Sequence, residues 1–339
     1  MKAIPEYFNQ PLNEAIERFE KLPREASFFF VTDTHYRDCA HVATPLIKAF
    51  AKKTGVNKLF SGGDYAFAFG TKEQCITDTE KSLDYLSEVK PELDFFSARG
   101  NHDITIKFSR EEKTGYTHPK ALTDAIIMSR NSPVTAAMQG ESCYYVDYPD
   151  EKVRYVVVNT SDSQSDDAQQ YWGVHYSISR PQLEWIANNA FDLKDKPDWS
   201  IIVFGHIPCS TQLDPEGALP LKPLKDLLAA FKNRRACEYG NFESAKGELV
   251  AYICGHNHAD RNATEDGVLH ISTGSEAYYR DDVWQRTLGT ASETIVDVFA
   301  LDKVARKLYA VRIGAGKDRV FDYRSEIDFP VTHIPIKDY

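Results

Sequence analysis

The sequence predicts an α/β fold built around a buried, largely parallel sheet. Two observations carry this expectation. Short apolar runs rich in Phe, Val and Ile alternate with stretches of helical spacing through the first hundred residues. These runs end, one after another, in polar motifs that hold Asp, Asn or His. Sites in parallel sheets form beyond the carboxyl ends of the strands, so the two observations support one another.

Residues 5–22 read as a helix, with Leu12, Ala15, Ile16 and Phe19 at near-helical spacing. Ser27 to Thr32 is the first strand, and it leads into Asp33-Thr34-His35. A helix follows, with Thr44 and Pro45 at its start and Gly55 at its end. Lys58-Leu59-Phe60 is the second strand and ends in Gly62-Gly63-Asp64. Thr71 and Gln74 form a capping-box pair before a helix whose apolar face carries Ile76, Leu83, Leu86 and Val89. Leu93 to Ala98 is the third strand and ends in Arg99-Gly100-Asn101-His102-Asp103. Gly100 is expected there at positive φ, turning the chain sharply. Arg99 reads as structural.

Residues 104–141 break the pattern and read as a cap insertion, with a helix near 119–130, folded over the site. Strands resume at Tyr144–Tyr148 and Val153–Asn159, and a polar loop at 161–176 leads to Ser179 and Gln182, a second capping box. Within that loop Tyr171-Trp172 reads as packing rather than nucleobase stacking. Trp199 to Phe204 ends in Gly205-His206, and Glu248 to Cys254 ends in Gly255-His256-Asn257-His258. A helix between them carries Leu224, Leu227, Leu228 and Phe231 on one face. The C-terminal strands, within 268–313, read as antiparallel. The motifs run from residue 33 to residue 258 without a linker, so 1–339 is expected to form one domain.

A net charge of −10 offers no basic footprint for a nucleic-acid polymer or an anionic membrane. No stretch approaches the ~18 apolar residues of a membrane span, and the six cysteines are scattered without a CxxC pair. A cytoplasmic, reduced protein is expected.

The five strand-end motifs offer two carboxylates, one carboxamide oxygen and four imidazoles as metal ligands: Asp33, His35, Asp64, Asn101, His206, His256 and His258. As alternate residues of extended chain, Asp33 and His35 would point the same way, and so would His256 and His258. Seven ligands exceed what one ion needs, so two ions sharing a carboxylate are expected. The oxygen and nitrogen donors suit Mn, Fe, Zn, Co or Ni, as divalent or trivalent ions. Such a pair, ~3.5–4 Å apart, activates water and stabilises both oxygens of a phosphoryl transfer. His102 is left for leaving-group chemistry, and Asp103 is expected to hold its tautomer. The other five histidines, His41, His118, His175, His270 and His333, read as ordinary core or surface residues.

The order D-x-H, G-D, G-N-H-D, G-H and G-H-x-H, over about residues 27–260, resembles the calcineurin-like metallophosphoesterase superfamily. The resemblance implies a two-sheet β-sandwich flanked by helices and a dinuclear metal centre. It implies Asp33, His35, Asp64 and His258 around one ion, and Asp64, Asn101, His206 and His256 around the other. His102 matches the catalytic histidine, and Asp103 the acidic residue that supports it. Protein Ser/Thr phosphatases of this superfamily carry G-D-x-x-D-R, where this chain has Phe67-Ala68 in place of Asp-Arg. Purple acid phosphatases carry a metal-binding Tyr where this chain has Phe67. Branches restricted to diesters lack the histidine that His102 supplies. The expected function is therefore hydrolysis of a phosphomonoester or phosphodiester by a metal-bound hydroxide, with His102 assisting the leaving group. The expected partner is a small, nucleotide-like phosphoester. A nuclease and a non-catalytic scaffold are the alternatives.

Overall fold

The computed structural model of the chain describes residues 3–36, 42–67, 72–103, 120–162, 176–215, 218–277, 286–324 and 332–333. Two mixed sheets face each other, and helices cover their outer sides. Strands β1 (Ala26–Val31), β2 (Lys58–Ser61) and β3 (Asp94–Ser97) alternate with helices α1 (Asn9–Glu20), α2 (Ala43–Thr54) and α3 (Lys72–Ser87). Next come α4 (Lys120–Arg130), β4 (Ala136–Ala137), β5 (Tyr144–Tyr148), β6 (Val153–Val157), α5 (Arg180–Trp185) and β7 (Ser200–Phe204). Helix α6 (Lys222–Lys232) precedes a small hairpin of β8 (Ala236–Cys237) and β9 (Gly240–Asn241), and then β10 (Glu248–Cys254). The chain closes with β11 (Arg261–Glu265), β12 (Val268–Ser272), β13 (Ile295–Asp302), β14 (Lys307–Gly314), β15 (Arg319–Asp322) and β16 (Thr332–His333).

The first sheet has the order β15-β14-β13-β1-β2-β3, and the second β16-β11-β12-β10-β7-β6-β5-β4. Strand β1 runs parallel to β2, and β2 to β3, while β13 lies antiparallel on the other edge of β1. In the second sheet β6, β7, β10 and β12 are mutually parallel in sequence of neighbours.

The alternation in β1 explains its unbroken apolar run. Phe28 and Phe30 face the second sheet, and Phe29 and Val31 face the helices, so both faces are buried. Between the sheets Phe60 stacks on Phe204 with centroids 4.3 Å apart. Outside the second sheet, Ile201 and Val203 meet Leu224, Leu227, Leu228 and Phe231 of α6.

Some expectations need correction. Val268–Ser272 is parallel to β10, because the unforeseen strand β11 makes the antiparallel hairpin instead. Its turn is Asp266-Gly267, both at positive φ (52° and 80°), as a tight hairpin requires. Thr44 and Pro45 do lie in the first turn of α2, where the Thr44 hydroxyl donates to the Tyr85 carbonyl. Ser179 does cap α5, accepting from the Gln182 amide, but the Gln182 side chain turns to Asn159 and Asp162. Residues 120–141 are built into the sandwich: Ile126 and Ile127 of α4 join the core under the first helical layer, and β4 extends the second sheet. Thr71, residues 104–119, His41, His118, His175 and Tyr171-Trp172 lie outside the described residues. Arg99 is fully buried and paired with Asp124 at 3.0 Å, a structural role. Five described cysteines, Cys75, Cys143, Cys209, Cys237 and Cys254, are free thiols. Among the described residues no helix is long and apolar enough to cross a membrane.

Candidate metal centre

The carboxyl ends of five strands deliver the site. Asp33 and His35 follow β1, Asp64 follows β2, Asn101 and His102 follow β3, His206 follows β7, and His256 and His258 follow β10. The expected extended alternation is not how the pairs are aimed. Asp33, His35, Asp64, His256 and His258 all adopt left-handed backbone, with φ of 55°, 39°, 58°, 73° and 50°. Such φ costs a non-glycine residue about 1 kcal/mol or more, and it persists where surrounding bonds over-determine it. Those bonds are present. The first motif is zipped to the second by Asp33 N–H to Gly63 O (2.9 Å), His35 N–H to Asp64 O (3.0 Å) and Tyr36 N–H to Tyr65 O (2.8 Å). From the other side, Glu276 N–H donates to Thr32 O at 2.8 Å, and the Ser275 hydroxyl to Asp33 O at 2.7 Å.

Each carboxylate has one oxygen tied down and one turned to the imidazoles. Asp33 Oδ2 accepts from the Thr32 hydroxyl (2.7 Å) and the His256 amide (3.0 Å). Asp64 Oδ1 accepts from the His102 amide at 2.8 Å. The free oxygens then face the nitrogens: Asp33 Oδ1 lies 3.2 Å from His258 Nε2, and Asp64 Oδ2 lies 3.1 Å from His206 Nε2 and 3.9 Å from His35 Nε2. The approach needs glycine at Gly100 and Gly255. A Cβ on Gly100 would sit 2.1 Å from Asp64 Oδ1, and one on Gly255 would sit 2.3 Å from Asp33 Oδ2. Gly100 is thus required for space; the positive φ expected there falls instead on Gly63, at 98°.

The segment Gly62–Phe67 aims three imidazoles with its carbonyls. Nδ1 of His206 faces Gly62 O at 2.8 Å, that of His35 faces Ala66 O at 3.0 Å, and that of His102 faces Phe67 O at 3.0 Å. A carbonyl only accepts, so Nδ1 carries the proton and Nε2 points inward. His256 is turned the other way. Its Nδ1 lies 2.9 Å from Asn101 Oδ1, and its Nε2 meets the Tyr176 hydroxyl at 2.9 Å.

Asp103 does not hold the His102 tautomer. Its buried carboxylate accepts from the backbone amides of Asp64, Tyr65, Ala66 and Gly100, and the Phe67 carbonyl takes the place beside His102 Nδ1. The expected role for Asp103 fails because the turn after β2 needs an acceptor for several amides in succession. Tyr176 was missed in the sequence. It ends the 161–176 loop, and nothing local in the chain announces a partner 80 residues away.

Burial would raise the Asp33 carboxyl, but the neighbouring His258 and His206 outweigh it and hold it at about 2. Asp64 is likewise held well below the carboxylate range, against its burial, by His206 and His102. Burial and the charge of His258 push His35 down to about 3, and burial and His206 push His256 down to about 4. His206 goes the other way, to about 9, because Asp64 overrides the cost of its burial. The site therefore favours ionised carboxylates and neutral imidazoles at His35 and His256, the forms that bind cations.

The donor set fits metal ions. Asp33, His35 and His258 lie within ligand reach of one another, as do Asp64, His206 and His256, and His35, Asp64 and His102. Asp33 Oδ1 and His206 Nε2 are buried without a hydrogen bond, although each lies little more than 3 Å from an opposite group. With His35 Nε2 and His258 Nε2 also only 3.0 Å apart, nitrogens and oxygens that converge at this range are arranged for a cation between them. Asn101 joins through its contact with His256 Nδ1.

The fold and this donor set define a metal-dependent hydrolase class. Residues 26–260 match the profile of the calcineurin-like phosphoesterases, and the chain belongs to that family, hydrolases of phosphoester bonds that use two metal ions. Among solved structures it is similar to a dimetal phosphatase from Danio rerio, with a TM-score of 0.61 and 15% identity over 89% of this chain and 100% of that one. It is also similar to GAP50, the anchor in the inner membrane complex of Plasmodium, with a TM-score of 0.43 and 16% identity over 92% of this chain and 89% of that one. A purple acid phosphatase from yellow lupin seeds follows, with a TM-score of 0.46 and 11% identity over 90% of this chain and 53% of that one. No curated protein sequence matches.

Proposed function

We propose that the chain hydrolyses a small phosphomonoester or phosphodiester, with Asp33, His35, Asp64 and His258 holding one ion and Asp64, Asn101, His206 and His256 the other. The observation that carries this is the convergence of seven ligand side chains from five strand ends around Asp64, whose Oδ2 faces His206 on one side and His35 on the other. Two ions held there supply an activated water and neutralise charge on the phosphoryl group.

His102 acts on the leaving group. Its Nε2 is 3.9 Å from Asp64 Oδ2, and its side chain is 28% exposed, the most open of the imidazoles around that carboxylate. With Nδ1–H given to Phe67 O, the proton that moves is the one at Nε2, which can be donated to a departing alkoxide. The presence of this histidine favours monoester cleavage. The net charge of −10 weighs against a nuclease, and the full ligand set together with His102 weighs against a scaffold without catalysis. The core shared between the sheets supports one domain over 1–339, and the free thiols support a cytoplasmic setting.

The test is direct. Purified protein is stripped with chelator, reloaded with Mn²⁺ or another of the candidate ions, and assayed on aryl phosphate monoesters and diesters. Metal-dependent turnover is expected on the monoester. No metal-dependent turnover on either class would sink the proposal.

A further inference from the structure

We propose that Tyr176 is a positioning residue of the metal centre: its hydroxyl fixes His256 with Nδ1 turned toward the ion that Asn101 also holds. This rests on the two-ion reading above. The observation is the reversal of one imidazole. His35, His102 and His206 each present Nδ1 to a backbone carbonyl of the Gly62–Phe67 segment and keep Nε2 for the centre. His256 presents Nδ1 to Asn101 Oδ1 at 2.9 Å and sends Nε2 outward to the Tyr176 hydroxyl, also at 2.9 Å. The two rings meet edge to face, 5.0 Å apart at 86°, so ring packing and hydrogen bond act on the same imidazole. Among the described residues the Asp214 carboxylate also lies on that side, 3.8 Å from Nε2.

A hydroxyl suits this position better than a carbonyl would. Without metal, Nδ1–H donates to Asn101 Oδ1, and Nε2 needs a donor, which the Tyr176 O–H supplies. A metal on Nδ1 requires that nitrogen bare, so the single ring proton sits on Nε2 and needs an acceptor. The tyrosine oxygen is then that acceptor, its own hydrogen having rotated away. His256 stays neutral with one proton throughout. A carbonyl, which only accepts, would serve one tautomer of the two; Tyr176 serves both and keeps the ring in place while an ion enters or leaves.

The experiment titrates metal-stripped protein with Mn²⁺ alone by calorimetry, comparing wild type, Tyr176→Phe and Tyr176→Ala, with melting of each metal-free protein alongside. Wild type is expected to take up two ions. Tyr176→Phe is expected to bind one as wild type does and the other roughly 10–100-fold more weakly, the usual effect of losing an outer partner of a ligand, with metal-free melting lowered by no more than the loss of one hydrogen bond. Wild-type affinities for both ions in Tyr176→Phe would overturn the role of the hydroxyl. Weakening only in Tyr176→Ala would overturn it too, in favour of ring packing. Equal weakening of both ions with lowered metal-free melting would make Tyr176 merely structural. A wild-type protein that takes up no Mn²⁺ would instead overturn the two-ion reading, and this inference with it.

Discussion

The Asp103 carboxylate accepts a 2.6 Å hydrogen bond from the backbone amide of Tyr65, and so ties the end of β3 to the turn after β2. The same carboxylate takes the amides of Asp64, Ala66 and Gly100, all of them buried. Asp103→Ala strands these donors together. Each unsatisfied buried group costs about 1–3 kcal/mol, and partial relaxation leaves an expected loss of about 3 kcal/mol or more. Urea unfolding of the metal-free protein measures it. A loss under about 1 kcal/mol would show that water replaces the carboxylate.

His102→Ala separates chemistry from construction. Its amide still donates to Asp64 Oδ1, because the backbone is untouched. Metal content should stay at the wild-type value, while kcat for an aryl phosphate monoester falls roughly 10²–10⁴-fold, the range for losing a general acid. Diesters with good leaving groups should suffer less. Equal losses on both substrates, or a loss of metal, would assign His102 to the ligand set instead.

Gly255→Ala tests how tightly the first carboxylate is seated. The added Cβ would meet Thr32 Oγ1 at 2.0 Å and Asp33 Oδ2 at 2.3 Å. Asp33 must then give way, since β1 cannot shift between its two neighbours. Overpacking of this kind costs about 1–3 kcal/mol. The variant should also lose its hold on one metal ion before the other, as read by metal analysis after dialysis. Full metal retention would mean that Asp33 moves without cost.

A pH dependence follows from His270, a core histidine away from the metal centre. Burial pushes its imidazole down to about 4. An unfolded chain protonates this residue near 6.5. Between those values the unfolded state takes up a proton that the folded state refuses, so stability rises with pH across that window. The contribution is complete above about 6.5 and is lost on acidification toward 4, on the order of 3 kcal/mol at ~1.4 kcal/mol per pH unit. Unfolding free energies of the metal-free protein from pH 7 to 4.5 should fall more steeply for wild type than for His270→Leu. Parallel curves would show that His270 charges freely in the fold.

Much of the site was legible because its residues sit at strand ends, and strand ends announce themselves by a change from apolar to polar chain. Asp33, His35, Asp64, Asn101, His206, His256 and His258 were all readable in that way. Their aim was not. Spacing of two suggested extended chain, whereas the left-handed backbone at five of them is imposed by hydrogen bonds between motifs far apart in sequence. The same distance hid Tyr176, which acquires its partner only when the second sheet meets the loop before α5. Asp103 was misread because adjacency to His102 is a local fact and its carboxylate answers a longer-range one. Strand β11 escaped because Arg261–Glu265 is mostly polar; its place is fixed by pairing with β12 rather than by its own hydrophobicity.

The position of β1 has a bearing on the order of events at the ribosome. This strand carries the first two ligands, yet one of its edges is covered by β13, which is made much later. The clasp on Thr32 and Asp33 by Ser275 and Glu276 is also late. A nascent chain halted before residue 295 would therefore display an open, Phe-rich strand edge, the kind of surface that recruits neighbours. Until residue 258 has emerged it would also lack part of the ligand set. Metal loading belongs to the finished protein, and a fragment ending between the last motif and β13 should aggregate rather than bind ions.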